Sequence, residues 1–308
     1  AAASSPMLWP SSRSGFTPGP FGAGAPPAGE GASNLLAGAG ESGWAEGYAF
    51  RNRADARGGL PAERRHARGL AGGLSVELGE GLLVGFGVDQ GWLDLEVPDA
   101  LETADVELTQ IAIGGRFGSA PFSLAVSASY GLGAVDSEGG LVATSPASYD
   151  VGVLGLFAEA SYVFEAGAWR LVPKIGMDHV GVDADDFVET GTVGLVVGEH
   201  DEDRTRIFPG LEFGRSFEFG NGGGLDLSGP VSYLAVIGGE ERTIPAAFTI
   251  APGTPLVMRG LSERDSALVG ARTRLRLSPS LDLYLNYDGR FGDGYDSHGG
   301  TAGLRFVW

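Results

Sequence analysis

The chain has few side chains of the kinds that usually carry out catalysis. It has no cysteine, which excludes cysteine nucleophiles, thiolate metal sites and disulfides. Only four histidines are present, His66, His179, His200 and His298, and His179 follows Asp178 as in an acid–base pair of a hydrolase. Adjacent residues of a strand point to opposite faces, so these two side chains are not expected to orient each other. Because a G-x-S-x-G elbow and a metal-spaced histidine pair are also missing, the sequence predicts no catalytic residue, no metal site and no cofactor.

The charge of the chain is strongly acidic and unevenly distributed. Its 39 acids and 21 bases of lysine and arginine give a formal net charge of −18. Nucleic acid is therefore not an expected partner, because proteins that bind phosphate backbones concentrate lysine and arginine. Eight of the acids lie in residues 182–203: Asp183, Asp185, Asp186, Glu189, Glu199, Asp201, Glu202 and Asp203. They could bind Ca²⁺, but no EF-hand or glycine-rich aspartate repeat organises them, and a solvated acidic loop is the alternative.

From Trp44 onward the dominant pattern is an alternation of period two. In the clearest run, residues 122–132, apolar side chains alternate with small and polar ones, which predicts a strand. Twelve such runs are found, at residues 43–51, 67–78, 81–94, 105–117, 121–133, 150–164, 168–181, 203–217, 223–237, 265–277, 280–291 and 296–308. Many are longer than an ordinary strand and reach the about 9–11 residues with which a tilted strand crosses a bilayer.

The connections between these runs alternate in length. Tight turns are predicted near residues 79–80, 118–119, 165–166, 220–221 and 279, and long polar loops at 52–66, 95–104, 134–149, 182–202 and 238–264. No stretch of about 18 apolar residues is present, so no transmembrane helix is encoded. Short turns at one end and long loops at the other are typical of membrane barrels. The sequence therefore predicts an all-β protein, a 12-stranded antiparallel transmembrane β-barrel with both termini on the short-turn, periplasmic side.

The polar faces of the runs predict a water-filled interior, because charges of both signs can pair there or meet water. The residues expected to face the lumen are Glu77, Asp89, Arg116, Glu159, Arg170, Lys174, Glu212, Asp226, Arg272, Arg274, Arg276, Asp282 and Arg305. In the hairpin around Pro279 we expect the pairs Arg276–Asp282, Arg274–Tyr284, Leu277–Leu281 and Leu275–Leu283. Aromatic residues near strand ends, Trp44, Trp92, Trp169, Phe217, Phe291 and Trp308, could form interfacial girdles. The alternative is simply the high β propensity of aromatic residues.

The last strand is the most specific local signal. Thr301, Gly303, Phe306 and Trp308 are spaced polar-x-Gly-x-x-aromatic-x-aromatic, and such a strand offers an edge and an anchor that assembly machinery could capture. Residues 287–308, with Trp44–Tyr48, Pro252–Pro255 and Arg259–Leu261, resemble the translocator domain of autotransporters, the type V secretion proteins. The resemblance covers residues 42–308.

This resemblance implies a function. A translocator barrel lies in the outer membrane of Gram-negative cells, where it anchors and exports an N-terminal passenger to the cell surface. Thr301, Gly303, Phe306 and Trp308 would be the signal read by the barrel-assembly machinery. The implied partners are that machinery, outer-membrane lipid and lipopolysaccharide, and the chain's own passenger segment. We expect a monomer without enzymatic activity.

Residues 1–41, rich in alanine, glycine and proline, are expected to form a linker. The family usually has a helix in the pore before the first strand, and residues 28–41 are the candidate for such a pore-inserted segment. Some relatives cleave themselves there at paired asparagines, but Asn34 is followed by Leu35. Because residue 1 is alanine and no signal peptide is visible, the chain is expected to be a mature or truncated piece.

Two other functions stay open at this point. A stand-alone barrel would act as a pore or adhesin through its long loops, and the sequence upstream of residue 1 would distinguish it from a translocator. A barrel hydrolase would depend on His179. The loop 52–66 carries Arg53, Arg57, Arg64, Arg65 and His66, which could contact lipopolysaccharide phosphates, pair with acidic loops, or simply be solvated.

Overall fold

The structure is a computed structural model that describes residues 41–56, 61–79, 81–98, 102–118, 121–139, 145–191, 194–219, 222–238, 242–260 and 265–308. The predicted linker, residues 1–41, lies almost entirely outside these ranges and stays a prediction. No helix in the described part of the chain is long and apolar enough to span a membrane.

The described residues form seventeen strands. In chain order these are β1 (Ser42–Ala54), β2 (Glu63–Glu77), β3 (Leu82–Val97), β4 (Glu102–Phe117), β5 (Phe122–Gly139), β6 (Ser145–Tyr162), β7 (Phe164–Ala166), β8 (Trp169–Ala184), β9 (Phe187–Val188), β10 (Leu195–Val197), β11 (His200–Glu218), β12 (Gly224–Gly238), β13 (Arg242–Phe248), β14 (Ala251–Gly260), β15 (Ser266–Ser278), β16 (Leu281–Gly292) and β17 (Tyr295–Val307). Short β7 pairs with the start of β8.

Twelve of the strands close into one antiparallel barrel. The ring runs β1 to β6, then β8, β11, β12, β15, β16 and β17, each paired with the next. The first and last strands pair along their whole length, from Ser42 opposite Val307 to Ala54 opposite Tyr295. Closure leaves no free edge in this ring, which is how a sheet satisfies its backbone in lipid. The predicted twelve-stranded antiparallel barrel is confirmed.

The two faces of the barrel differ as alternation requires. Side chains of the outer face are exposed and largely apolar, among them Leu70, Phe86, Ile111, Leu132, Leu156, Ile175, Phe213, Val231 and Leu285. So large an exposed apolar surface is unfavourable in water and is expected of a wall that contacts lipid. We call the end of the tight turns, where β1 begins and β17 ends, the turn end, and the opposite end the loop end.

Of the tight turns predicted at the turn end, the one near residue 279 lies at residues 279–280, and those near 79–80, 118–119 and 220–221 fall partly or wholly on residues outside the described ranges. The turn predicted at 165–166 lies instead at residues 167–168, because β7 extends the hairpin by three residues. Gly167 takes a φ of +64° there, a left-handed conformation that favours glycine.

The strands extend further toward the loop end than the sequence predicts. The long loop expected at 95–104 is wrong, because β3 continues to Val97 and β4 begins at Glu102. The expected loop 134–149 is likewise shortened, since β5 reaches Gly139 and β6 begins at Ser145. In these extensions the backbone pairing of the strands continues, while the outward side chains become acidic. Asp105 of β4, for example, stands opposite Asp94 of β3 and Asp136 of β5. The apolar alternation stops before the strand does.

Two further predicted loops fold into a sheet. Residues from 182–202 and 238–264 form a four-stranded sheet in the order β14, β13, β10, β9. Tyr149 of β6 stacks on Phe187 of β9, with ring centroids 4.3 Å apart, and so joins this sheet to the barrel. The backbone amide of Thr249 donates to the carbonyl of Gly194 at 2.9 Å. We call this element the loop-end sheet; the sequence did not predict it.

The inner wall is not polar throughout, in contrast to the expectation. Near the loop end, inward side chains of β3, β4, β5 and β6 form a buried apolar cluster that includes Leu93, Leu95, Val106, Val135 and Val151. The distribution of polar and apolar side chains between the two faces therefore inverts along these strands. Beyond the membrane, the acidic side chains face outward and the apolar side chains face inward. On these strands the charged inner residues, among them Asp89, Arg116 and Glu159, therefore lie nearer the turn end than the apolar cluster does.

Candidate functional site

The charged residues predicted for the lumen project from the inner face. Lys174, Glu159, Glu212, Asp226, Asp282 and Arg305 are buried there, Asp89, Arg116, Arg170, Arg272, Arg274 and Arg276 are half-buried, and Glu77 is exposed at the turn end. Charges that leave water must be paired to be tolerated. The pairing of these groups therefore determines what the lumen can do.

One network joins the inner faces of β6, β8, β11 and β12. Lys174 Nζ lies 3.8 Å from Glu159 Oε2 and 3.5 Å from Glu212 Oε2. Arg170 lies 3.7 Å from the other carboxylate oxygen of Glu212 and 3.9 Å from Asp226 Oδ1. Two bases thus alternate with three acids across four strands, so that the charges largely compensate one another.

A second network lines β15 and β16. Arg274 Nε donates to Asp282 Oδ2 at 2.9 Å, and Arg276 Nε lies 3.8 Å from Asp282 Oδ1. Further toward the loop end, Arg272 lies 3.6 Å from Asp288. Three bases here share two acids along one stretch of wall.

The register of this hairpin follows most of the predicted pairs. Arg276 pairs with Asp282, Arg274 with Tyr284 and Leu275 with Leu283, as expected. The expected pair of Leu277 with Leu281 is wrong, because a bulge after Arg276 places Ser278 opposite Leu281. A bulge inserts one extra residue in one strand, and alternation alone does not reveal its position.

A buried ion pair that was not predicted from the sequence lies further toward the loop end. Arg206 Nε and Nη2 donate to the two carboxylate oxygens of Asp178 at 2.8 and 2.6 Å, and both side chains are only 1% exposed. The two residues are direct partners in the β8–β11 ladder, so a correct register would have revealed them. His179 faces the other way, and its Nδ1 lies 3.0 Å from the hydroxyl of Thr205. Asp178 and His179 do not form a pair.

The seam between β17 and its neighbours is held from inside by one tyrosine. Gly303 of β17 pairs with Tyr284 of β16 on one side and with Glu46 of β1 on the other. The Tyr284 ring passes over Gly303, and its hydroxyl donates to Glu46 Oε2 at 2.9 Å. A Cβ on Gly303 would overlap the ring. We call this arrangement the seam clasp; it gives Gly303 a packing role.

The other residues of the predicted assembly signal lie on both faces of the last strand. Thr301 is buried on the inner face, while Phe306 is exposed on the outer face. Trp308 follows β17 and is 67% exposed. Its indole nitrogen donates to Glu41 Oε2 at 3.1 Å and its backbone nitrogen to the Glu41 carbonyl at 3.2 Å. The end of the chain is thus tied to the residue before β1.

Five of the six expected girdle aromatics project outward and are exposed: Trp92, Trp169, Phe217, Phe291 and Trp308. The prediction is wrong for Trp44, which faces the lumen and is only 5% exposed. Its indole packs over Gly73 of β2, where a Cβ would lie 2.9 Å from the ring. A glycine on the neighbouring strand leaves room for the ring inside the barrel.

The charged segments divide between the two faces. Arg64 and His66 project outward from β2, whereas Arg65 is buried inside, with its Nε 2.9 Å from Glu63 Oε1. Arg57 lies outside the described residues. In the acidic segment, burial raises the pKa of Glu189, although its carboxylate accepts a hydrogen bond from the backbone amide of Leu195 at 2.9 Å. Within the described ranges, no group of three or more histidine, aspartate or glutamate side chains is arranged to hold a metal.

Comparison with known proteins identifies the family. The family model described as Autotransporter beta-domain matches residues 43–288. The translocator domain of the autotransporter NalP from Neisseria meningitidis is similar with a TM-score of 0.72 and 16% identity, over 88% of this chain and 89% of that chain. The beta domain of the Bordetella autotransporter BrkA gives a TM-score of 0.67 and 16% identity, over 87% and 99%. The transport unit of AIDA-I from Escherichia coli gives 0.60 and 10%, over 87% and 90%.

No curated protein matches the chain. The solved structures are too distant in sequence to show more than the fold, and the assignment rests on the family model, which spans most of the barrel. With its twelve strands, its outward apolar wall and its closed β1–β17 seam, the chain belongs to the autotransporter β-domain family and is an outer-membrane translocator barrel, a transport domain.

Proposed function

We propose that this barrel anchors and exports a passenger segment attached before β1, and that the segment passes through or beside the lumen during assembly. The observation that carries the proposal is the paired charged lining of the inner wall near the turn end. β1 begins at that end, at Ser42. A segment entering from there would first meet the networks of Lys174 and Arg274.

The pairing of these charges suits passage of an extended chain. Each network keeps polar atoms on the wall and so keeps water there. Each network has an excess of only one charge, negative in the first and positive in the second. Neither therefore presents a strong field of one sign that would hold a charged segment in place. An apolar wall would instead bind apolar side chains of the moving segment.

We also propose that Thr301, Gly303, Phe306 and Trp308 act as the signal for the barrel-assembly machinery. Before β1 pairs with it, β17 is an edge strand with unpaired backbone groups, which a partner strand can bind. Phe306 and Trp308 are exposed at the turn end and could contact a partner there. Gly303 and Thr301 would act from the inner face.

Surface display in a Gram-negative host tests export. An epitope fused before Ser42, behind a signal peptide, should become accessible to antibody and protease on intact cells. Replacement of both Phe306 and Trp308 by alanine should lower the amount of folded barrel and of displayed epitope together. Leu304→Ala is the matched control, because Leu304 is also exposed on the outer face of β17. A folded barrel that leaves the epitope inside would contradict export.

The loop-end sheet favours a second function, that of a stand-alone adhesin. Its exposed residues include Val188, Phe248 and Ile250, and exposed apolar residues of this kind are typical of binding surfaces. Deletion of residues 242–260 distinguishes the two functions. A translocator should still display the epitope, whereas an adhesin should lose binding to host cells while the barrel remains folded.

A further inference from the structure

The outer wall of the barrel has a groove along the β17–β1 seam. Its floor is made of residues with no side chain or only a methyl group: Gly47 and Ala49 on β1, and Gly300 and Ala302 on β17. Leu285 of β16 forms one wall, and Leu70 of β2 with Trp92 of β3 forms the other. The cavity measures about 660 Å³. Leu70 and Leu285 are 62% and 59% exposed, so both walls project into the surroundings.

The dimensions of the groove fit hydrocarbon chains. In the ladder, Leu285, Ala302, Gly47 and Leu70 stand in one row across four neighbouring strands. At about 4.8 Å between strands, the two leucines originate about 14 Å apart. The floor between them is two strands wide and nearly without side chains. An acyl chain that lies along the strands would contact one wall and the backbone below.

A rim of basic side chains stands above the groove on its loop-end side. Arg68 pairs with Ala49 and Trp92, at the top of the groove. The next row toward the loop end holds Arg51 opposite His66, and the row after it Arg53 opposite Arg64. All of these bases project outward from β1 and β2 and are exposed. Like charges directly opposite each other on neighbouring strands are destabilising unless an anion compensates them.

The acidic residues around this rim compensate the bases farthest from the groove. Arg53 lies 3.4 Å from Asp55, and His298 of β17 lies 3.6 Å from Asp296. On β3, Asp94 stands opposite His66 and Glu96 opposite Arg64, and on β17 Asp296 stands opposite Arg53, so the row farthest from the groove has an acid on each side. Arg51 and Arg68, which stand nearest to the groove, make no ion pair within the described part of the chain.

We propose that this groove binds one phosphorylated glycolipid of the outer leaflet, with an acyl chain along the floor and its phosphates on Arg51 and Arg68. Trp92 and Tyr287 are exposed in the same row as Arg68, and such aromatics mark the level of the lipid headgroups. Lipid phosphates therefore lie at the height of the rim, directly above their own acyl chains. The combination of an apolar groove with a cationic rim matches both parts of one molecule.

The charges argue against a second copy of the chain as the occupant. Two barrels in one membrane that packed seam to seam about a two-fold axis would bring the same rows to the same height. Arg51 and Arg68 of one copy would then face those of the other without an anion between them. A lipid with phosphate groups supplies the missing charge.

Lipid binding to the full 308-residue chain tests the proposal. The chain is folded in detergent and titrated with bisphosphorylated lipid A, followed by native mass spectrometry. Two further arms use the same lipid with its phosphates removed, and inorganic phosphate as a competitor. Retention of the folded band on unheated gels shows that each variant is intact.

Four variants separate the rim from the groove. Arg51→Gln with Arg68→Gln removes the rim charges, and Gly300→Leu fills the groove, since a Cβ there meets only the Asn286 carbonyl at 3.8 Å. Arg215→Gln is the charge control, because Arg215 is exposed on the outer face at the turn end, over the ring of Trp169. Gly181→Leu is the size control, because a Cβ on this glycine meets nothing within 4 Å.

We expect one tightly bound lipid A per barrel. Loss of the two rim charges should weaken binding about 30-fold, and Gly300→Leu about tenfold, whereas both controls should bind as the parent chain does. Equal binding of the dephosphorylated lipid would overturn the proposal, as would parent-like binding by the rim and groove variants. Displacement of the lipid by inorganic phosphate at millimolar concentration would show a phosphate site rather than a lipid site.

Discussion

The seam clasp makes Gly303 sensitive to the smallest possible side chain. In the folded barrel the Tyr284 ring occupies the space above Gly303, so the Cβ of a Gly303→Ala variant and the ring cannot both keep their places. Tyr284 is buried on the inner face of the barrel. The substitution therefore forces the ring away from β17, and its hydroxyl away from Glu46.

The size of the effect can be worked from these contacts. Overpacking in a filled interior costs about 1–3 kcal/mol. Loss of a hydrogen bond to a charged group adds about 1.5–3 kcal/mol, here the bond that Tyr284 donates to Glu46 at 2.9 Å. Because a shift of the ring relieves part of the overpacking while it loses the hydrogen bond, the two costs are not fully additive, and we expect Gly303→Ala to lower the free energy of unfolding by about 2–5 kcal/mol. Tyr284→Phe keeps the ring and should lose only the hydrogen-bond part.

Denaturant unfolding of the barrel in lipid vesicles, followed by tryptophan fluorescence, measures this difference. Gly300→Ala is the matched control, since it lies in the same strand with its Cβ 3.8 Å from the nearest atom. It should unfold within about 0.5 kcal/mol of the parent chain. Both variants add one methyl group to a glycine of β17, so β propensity does not distinguish them.

A double-mutant cycle isolates the clasp itself. In a Tyr284→Ala background the ring is gone, and Gly303→Ala should then cost less than about 0.5 kcal/mol. The coupling between the two positions should therefore approach the full cost of Gly303→Ala in the parent chain. A Gly303→Ala variant as stable as Gly300→Ala would refute a packing role of the tyrosine ring at Gly303, as would a cost of Gly303→Ala that is the same with and without the ring.

Three further outcomes follow from other contacts. Asp178→Asn removes the carboxylate that accepts two hydrogen bonds from Arg206 and should lower the free energy of unfolding by about 3 kcal/mol or more. Replacing Asp178 with leucine and Arg206 with methionine together should lower the free energy of unfolding by less than this single change. The pKa of Asp265 lies below its ordinary value because its carboxylate accepts hydrogen bonds from the Tyr233 hydroxyl and from a backbone amide of β12. The stabilising contribution of the Asp265 carboxylate is present above the ordinary carboxyl pKa and is lost as the pH falls through the lowered pKa. Because Tyr233→Phe removes one of the two hydrogen bonds, it should raise the midpoint of Asp265 in a carbon-13 NMR titration. An unchanged midpoint would contradict this. Phe187→Ala removes the stacked pair that joins the loop-end sheet to the barrel and should make that sheet more sensitive to protease at an unchanged rate of barrel unfolding.

The barrel itself could be predicted because alternation in a lipid-exposed wall is a strong constraint. Each strand must place apolar side chains outward over the thickness of the membrane, and one slip of register would reverse both faces. The pair Arg274–Tyr284 follows from this alternation together with the turn at Pro279. The bulge between Arg276 and Ser278 could not be predicted in this way. The extra residue changes neither the number of apolar residues in the strand nor the position of the turn at Pro279.

The parts that could not be predicted depend on contacts between distant residues. Trp44 has the sequence context of a girdle aromatic, and only Gly73 on the neighbouring strand gives its ring a place inside. The partner of Asp178 is 28 residues away, and alternation does not reveal which base stands opposite it. The short strands β9 and β10 have two and three residues, which is below the length at which periodicity can be recognised.

The last strand shows why these contacts matter for function. Between residues 299 and 303 it has three glycines, and the two that face inward, Gly299 and Gly303, are covered by Phe50 of β1 and Tyr284 of β16. The outward Gly300 stays open and forms part of the floor of the groove. A strand with so little side-chain bulk gains its packing from its two neighbours rather than from itself. It should therefore be poorly ordered until both β16 and β1 flank it, which is the condition under which an assembly partner has access to its edge.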